Sequence, residues 1–418
     1  MPDGPELAPA KRLIADFYGK IRVLPPEKNP FVQLFPIEEA NAAVGGSGEL
    51  AGVPVAVKDV ISVAGGRMRA GTTFFDQLSH EDAAVVAMLR AQGALIVGTT
   101  RTHELALGPT GLNPHDGDGG LRNPWDDSRI GGGSSIGSAV AVATGLTRIG
   151  LGTDTGGSVR APAALCGIFG FKPSLGLIPT QGVFPLSSTM DHVGILGRDL
   201  EDIRGGARAL LPRTTQVSRS PARIKRLAVL ESDVADLAPA VEDCFDGQVR
   251  AWEADGLVVE RVPFATHEHI MEVTGTILFY EAGRRHAVLL EEHGHDISPL
   301  VRSRLEHGRS IPVERYAAAL AERSVLISRL GLIFDRSDLI VGPTVPILPP
   351  LVSEVEDVRV VSMVVRNTRL GNVTGVPAAS VPAWNGQRGI GIQYMAPHGQ
   401  DWRLLDALHE LTAPGMGG

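Results

Sequence analysis

Apolar spacing changes period repeatedly along this chain. Asp82–Gly93 (DAAVVAMLRAQG) sets apolar residues at helical spacing between an opening aspartate and a closing glycine, which predicts an amphipathic helix. Ala94–Thr100 (ALIVGTT) is a short continuous apolar run, as expected of a strand buried on both faces. Gly52–Val60 (GVPVAVKDV) predicts a strand ending at Lys58, and Thr147–Thr153 (TRIGLGT) another. Helices are expected over Gly137–Gly145, onward from Val159, over Val313–Phe334 and over Trp402–Leu411. Asp338–Pro350 reads as a strand and a proline-rich loop, and Asn372–Trp384 and Arg388–Ala396 as two closing strands. Alternating strands and helices predict an α/β fold, a sheet with helices on its faces.

Residues 1–50 read as a helical lead-in. Residues 205–335 are more charged and read as a variable helical segment, either inserted or made of ordinary surface helices, and 1–418 is taken as a single domain. The terminal stretch APGMGG is expected to fray. No stretch has the roughly 18 apolar residues of a spanning helix.

Of the 418 residues, 43% are hydrophobic and 21% charged, the balance of a globular protein with a real core. Aromatic residues are only 5%, whereas Gly (50) and Pro (29) are abundant, which points to many tight turns. The net charge of −8 argues against nucleic acid or an anionic membrane as the main partner, although Arg223–Arg226 (RIKR) forms a local basic cluster. Cys166 and Cys244 make neither a metal spacing nor a disulfide framework. Two buried thiols in a reducing cytoplasm are the expectation. The N-terminus has no secretory h-region.

The candidate chemistry lies in two glycine-serine turns, Arg129–Gly145 (RIGGGSSIGSAVAVATG) and Gly150–Gly167 (GLGTDTGGSVRAPAALCG), each at the start of an apolar helix. A dinucleotide fingerprint fails because Ile136 stands where its third glycine belongs, and the G-K-[ST] of a phosphate loop is absent. His103–Leu107 (HELAL) starts like a zinc motif but has Leu107 in place of the second histidine. No metal or cofactor is expected. A nucleophile reading fits better: Gly156 and Gly157 leave backbone N–H groups bare beside Ser158, and the following helix adds its positive end. A capping serine in a tight turn remains the plainer alternative for one such turn. Lys58, taken alone, reads as a solvated residue at a strand end.

Together these segments resemble the amidase signature family of Ser–Ser–Lys amidohydrolases. GGGSSIGSAVAVATG…LGTDTGGSVRAPAALCGIFGFKPS is similar to the family's defining segment, and its two serines, Ser134 and Ser158, stand 24 positions apart. AGVPVAVKD, AQGALIVGTTRTHELALG, LSSTMDHVGILGRDLED, LIVGPTVP and NVTGVPAASVP extend the likeness over roughly residues 30–205 and 335–411.

The resemblance implies a large mixed β-sheet flanked by helices on both faces. It implies Ser158 as nucleophile, Ser134, after a cis peptide, as proton shuttle and Lys58 as base. The N–H groups of Thr155, Gly156, Gly157 and Ser158 would form the oxyanion hole. Ser135 would hydrogen-bond within the site. Asp154 and Arg160 would make a buried pair bracing the nucleophile turn, and Asp191 and His192 would be structural. A lysine acting as base near neutrality requires a drop from about 10.4 to about 7, on the order of 4–5 kcal/mol, for which burial is the source.

The implied activity is hydrolysis of the C–N bond of a small carboxamide, anilide, carbamate or urea-like substrate through an acyl-enzyme. The alternatives are an acyltransferase or amidotransferase, or a protein like the glutamyl-tRNA amidotransferase subunit that shares this signature. A possible homodimer also follows from the resemblance. Ile136 departs from the family's usual glycine or serine, and a β-branched residue there is expected either to stiffen the loop or to narrow the pocket.

Overall fold

The structure, a computed structural model, describes residues 7–36, 47–117, 119–212, 223–383 and 388–412. Thirteen described strands run in chain order: β1 (Phe31–Leu34), β2 (Pro54–Lys58), β3 (Arg67–Met68), β4 (Gln77–Leu78), β5 (Leu95–Thr100), β6 (Ile149–Thr153), β7 (Phe169–Lys172), β8 (Val193–Gly197), β9 (Arg226–Leu230), β10 (Val258–Val262), β11 (Leu339–Pro343), β12 (Ala378–Pro382) and β13 (Gly391–Met395). Eleven form one sheet in the order β1-β5-β2-β6-β8-β7-β12-β13-β11-β9-β10, while β3 and β4 pair separately. The sheet is mixed. β2 runs parallel to β5 and β6, and β9 parallel to β10 and β11, whereas β6, β8, β7, β12, β13 and β11 alternate.

Strand periodicity puts helices on both faces. Val55 and Val57 join a core that includes Val85 and Leu89 of the helix Ala84–Ala91 and Ile203 of the helix Leu200–Leu210. Ala56, between them, packs on the opposite side with Phe17, Phe31 and Ala141. Alternate residues on a strand face opposite ways, so this short run has to be covered twice.

Three expectations change. The lead-in holds a helix, Leu7–Arg22, but also β1, which pairs with β5. The 205–335 segment carries long helices, His267–Arg285 and Val313–Phe334, but also β9 and β10, which extend the main sheet. β10 has no fully buried position and does not stand out from the charged sequence around it, whereas the buried apolar run of β9 carries a strand signal that the helical reading passes over. The strand expected from Asn372 starts at Ala378. Asn372 instead lies near the end of the helix Arg369–Val373, and Gly375, at φ +71, turns the chain before Pro377.

The RIKR cluster is largely paired: Arg223 meets Glu410, and Arg226 meets Glu260. Both cysteines are free and buried. APGMGG lies outside the described residues, among which no helix is long and apolar enough to cross a membrane.

Candidate active site

Strand polarity sets the site. β2 and β6 are parallel neighbours, with Val57 opposite Leu151, so Lys58 and Thr153 leave the sheet at the same carboxyl-terminal edge. Ligand sites of parallel sheets collect at that edge. Lys58 is fully buried, contrary to its plain reading as a solvated residue. Its Nζ lies 2.7 Å from Ser134 Oγ and 2.7 Å from Thr153 Oγ1, with no carboxylate in contact among the described residues. Burial lowers its pKa to about 7, with Asp154 and Asp191 pulling more weakly the other way. A neutral amine fits this setting, donating to one hydroxyl and accepting from the other.

The first turn brings Ser134 to the lysine. The Gly133–Ser134 peptide is cis, as the resemblance implies. A Cβ on Gly133 would sit 2.6 Å from the Gly111 nitrogen, so the close approach needs glycine. The Ser134 carbonyl accepts from Thr102 Oγ1 (3.0 Å) and His103 N–H (3.2 Å). Ser135 N–H donates to the Ser158 carbonyl at 3.2 Å, which ties the two glycine-serine turns together. Ser135 Oγ also donates to the Thr153 carbonyl at 3.2 Å. Ile136 is fully buried beside Leu121, Ala139 and Cys166, away from the residues that line the substrate-sized cavity. It fills the core rather than narrowing a pocket.

The second turn is held from inside. Asp154 accepts from the backbone N–H groups of Gly157 (2.8 Å), Val159 (3.2 Å) and Arg160 (3.3 Å). The Arg160 guanidinium meets it at 2.9 and 3.0 Å, and Asn372 Nδ2 donates at 2.8 Å. Burial works against the charge of Asp154, but Arg160 and these donors hold the carboxyl below its ordinary range. Arg160 is itself saturated, donating to the Thr368 carbonyl, Gln393 Oε1 and Asn372 Oδ1 at 2.6–2.8 Å. This pair touches no open space and acts as a brace. Arg160→Met should therefore cost about 3–5 kcal/mol of stability, because it leaves a buried carboxylate uncompensated. Chemical denaturation reads this directly, and a loss below about 1 kcal/mol would contradict it.

The brace alters the expected oxyanion hole. With the N–H of Gly157 committed to Asp154, the donors of that set without an acceptor among the described residues are those of Thr155, Gly156 and Ser158. Gly157 has a different role. Its φ is +122°, and a Cβ there would lie 2.0 Å from Thr368 Oγ1, which in turn donates to the Gly156 carbonyl at 2.9 Å. Gly157→Ala is expected to displace the turn and lower kcat by on the order of 100-fold or more, since oxyanion donors tolerate little displacement. Wild-type kcat in this variant would show that the turn is not held against Thr368.

Thr155 Oγ1 donates to Asp191 Oδ1 at 2.7 Å, and Asp191 also accepts from the N–H groups of Leu186 and Ser187. Burial raises Asp191 to about 6 against the pull of those bonds. Glu281, on the helix His267–Arg285, anchors the same loop by accepting from Ser187 Oγ (2.6 Å) and Thr189 Oγ1 (2.8 Å). His192 Nδ1 lies 2.6 Å from the Met190 carbonyl, and burial keeps its ring neutral. Cys166 is buried with its thiol pushed up by burial, so nothing there suggests reactivity.

Ser158 is half-buried and opens on a cavity of about 700 Å³. Thr155, Gly156 and Pro109 line it together with the hydrocarbon of Leu278, Phe279, Val361 and Val365. Arg304 and Arg369 also line it. No atom lies within 4 Å of where a Gly156 Cβ would be, so this glycine faces open space. Among the described residues no group of three or more His, Cys, Asp or Glu could hold a metal ion.

Several of these residues escaped the sequence reading. Thr153 had a signal, as the last residue of a predicted strand that should neighbour the strand of Lys58. Thr368, Asn372, Gln393, Glu281, Arg304 and Arg369 had none, because each lies far along the chain from what it supports.

Comparison with known proteins places the chain among amidases and their relatives. The family described as Amidase matches residues 13–405. The chain is 33% identical to a glutamyl-tRNA(Gln) amidotransferase subunit of Deinococcus radiodurans, over 90% of this chain and 88% of that one. It is also 33% identical to indoleacetamide hydrolase of Pseudomonas savastanoi, over 88% and 84%. A solved structure described as an amidase superposes with a TM-score of 0.86 at 31% identity, covering 97% of this chain and 98% of the other.

Proposed function

This chain belongs to the amidase family, and on that premise we propose that it hydrolyses the C–N bond of a small amide-type substrate through an acyl-enzyme on Ser158. Ser158 Oγ attacks the carbonyl carbon and its proton passes to Ser134, whose own proton goes to the neutral Nζ of Lys58. The oxyanion faces the N–H groups of Thr155, Gly156 and Ser158 and the start of the helix Arg160–Cys166. The C–N bond breaks as the proton returns through Ser134 to the leaving amine. Water then takes the place of the amine, and the same relay deprotonates it and restores Ser158. Thr153 holds the amine of Lys58 toward Ser134.

The observation that carries this reading is the Lys58–Ser134 contact: a fully buried amine, 2.7 Å from the serine hydroxyl and touching no carboxylate among the described residues. The other fully buried lysine, Lys172, is held by the carbonyls of Pro173 and Val376, whereas Lys58 meets hydroxyls that can pass it a proton. The test is a hydrolysis screen of aliphatic amides, anilides, carbamates and ureas, combined with mass spectrometry of the trapped acyl-enzyme. An acyl adduct on Ser158 is expected. An adduct elsewhere, or turnover of no member of any class, overturns the proposal.

A second reading has specific support in the likeness to amidotransferase subunits: the acyl group, or the released ammonia, passes to another acceptor. Product analysis with a competing amine separates the two, since hydrolysis keeps the free acid as the main product. We further propose that residues 205–335 shape the acyl pocket, a reading supported by Met271, Leu278, Phe279, Leu300 and Arg304 on its helices. Family resemblance is the ground for proposing a homodimer; a cytoplasmic location is proposed from the two free buried cysteines, the absence of nucleic acid as a partner from the net charge of −8, and the absence of a cofactor from the failed phosphate and metal motifs. Sedimentation velocity would test the dimer.

A further inference from the structure

The cavity at Ser158 contains two guanidinium groups with no anionic partner among the described residues. Arg304 stands on the helix Pro299–Ser310, and Arg369 opens the helix Arg369–Val373. Nη1 of Arg304 donates to the Leu107 carbonyl at 2.7 Å, which anchors the side chain. The guanidinium of Arg369 makes no hydrogen bond among the described residues, and its Nε is buried without a partner. Arg160 is also buried, and all its bonding capacity is turned inward on Asp154, Asn372, Gln393 and Thr368.

The two cations also act on each other. Burial lowers the pKa of Arg369 to about 10, and the charge of Arg304 acts in the same direction. Like charges held together in an apolar pocket are unfavourable unless a ligand completes them. Glu356, the acidic residue lining the cavity, is exposed and makes no ion pair with either arginine among the described residues. Ser158 and the two arginines share this lining with hydrocarbon side chains, including Leu186, Leu278 and Val365.

We propose that the substrate carries a carboxylate besides its scissile amide, and that Arg369 and Arg304 bind it while a short hydrocarbon spacer lies on the apolar wall. A planar fork of donors matches a carboxylate with two parallel bonds. The inference rests on the hydrolase reading and narrows its substrate to one of two kinds. One is the monoamide of a dicarboxylic acid. The other is an amide whose amine side bears the acid.

The test measures binding to the Ser158→Ala protein by calorimetry. Succinamate, glutaramate and adipamate represent acid on the acyl side, and N-acetylglycine and N-acetyl-β-alanine acid on the amine side. Each is paired with the neutral primary amide of equal length. At least one acid is expected to bind about 10- to 100-fold more tightly than its neutral partner, and the side it belongs to identifies the substrate kind. Arg369→Met should abolish that preference. Arg369→Lys, which keeps the charge but loses the fork, should reduce it and covers the case in which the methionine variant fails to fold.

Equal binding of acid and neutral partners, no measurable binding of any acid, or a preference that survives Arg369→Met would each overturn the inference. Turnover of the neutral amides by the wild-type enzyme reports on the hydrolase reading separately. A protein that cleaves them without favouring acids retains that reading and loses this one. A protein that favours acids but cleaves neither the acids nor the neutral amides loses the hydrolase reading, and the assignment of the bound acid as substrate falls with it.

Discussion

Ser158→Ala is expected to lower kcat for amide hydrolysis by on the order of 10⁴- to 10⁶-fold, the range found when the nucleophile of a coupled relay is removed. KM should change little, because Ser158 contributes one hydroxyl to a cavity walled mainly by other residues. Ser134→Ala should fall in the same range, since its hydroxyl is the group in contact with Lys58 Nζ. The double variant should be scarcely worse than either single one, because both substitutions cut the same proton path. Additive losses would mean that the two serines act independently. The steady-state rates must be compared with labelling by a fluorophosphonate probe: labelling that persists in Ser158→Ala would remove this serine from the nucleophile role.

The second large effect concerns Lys58. The mechanism needs its amine uncharged, and burial brings its pKa to about 7. The rate should therefore rise with pH through about 7 and level off above it. Two units below, about 1% of the amine is neutral, and kcat/KM should fall to about that fraction. Lys58→Arg should be inactive at every pH, because an arginine cannot give up its proton there.

Stability follows a related course. Between about 7 and the ordinary 10.5 the unfolded chain holds a proton on this lysine that the folded chain lacks. Stability therefore increases with pH across that window and is lowest below it, where the buried amine is charged. Lys58→Met removes the penalty, on the order of 5 kcal/mol at low pH. It should unfold at higher denaturant concentration than wild type at pH 6 while losing activity by on the order of 10⁴-fold or more. A flat rate profile between pH 5 and 9 would show that Lys58 is not the base.

The site was partly legible before any coordinates. Two glycine-serine turns and a strand-end lysine have local signatures, and the structure brings Lys58 and Ser134 into contact and ties the Ser134 and Ser158 turns together. The oxyanion donors were legible only as a set. The commitment of Gly157 to Asp154 depends on how the turn closes around a buried carboxylate, which no local pattern specifies. Ile136 looked like a pocket residue because it sits inside the serine motif, yet it packs in a core cluster with Cys166 and Leu121 and does not line the cavity at Ser158.

What the sequence determined by itself is what depends on neighbours within a few residues: the apolar strands, the amphipathic helices, the glycines that admit close approach, and the order of the reactive side chains. Tertiary structure decided everything that depends on distance through space. It joined β9 and β10 to the sheet, placed Thr153 beside Lys58, and brought Thr368, Asn372 and Gln393 around Arg160. It also set Arg304 and Arg369 in one cavity with Ser158. The physical reason is that hydrogen bonding and desolvation act over a few ångströms of space whatever the separation along the chain. A lysine becomes a base only where the fold removes its water.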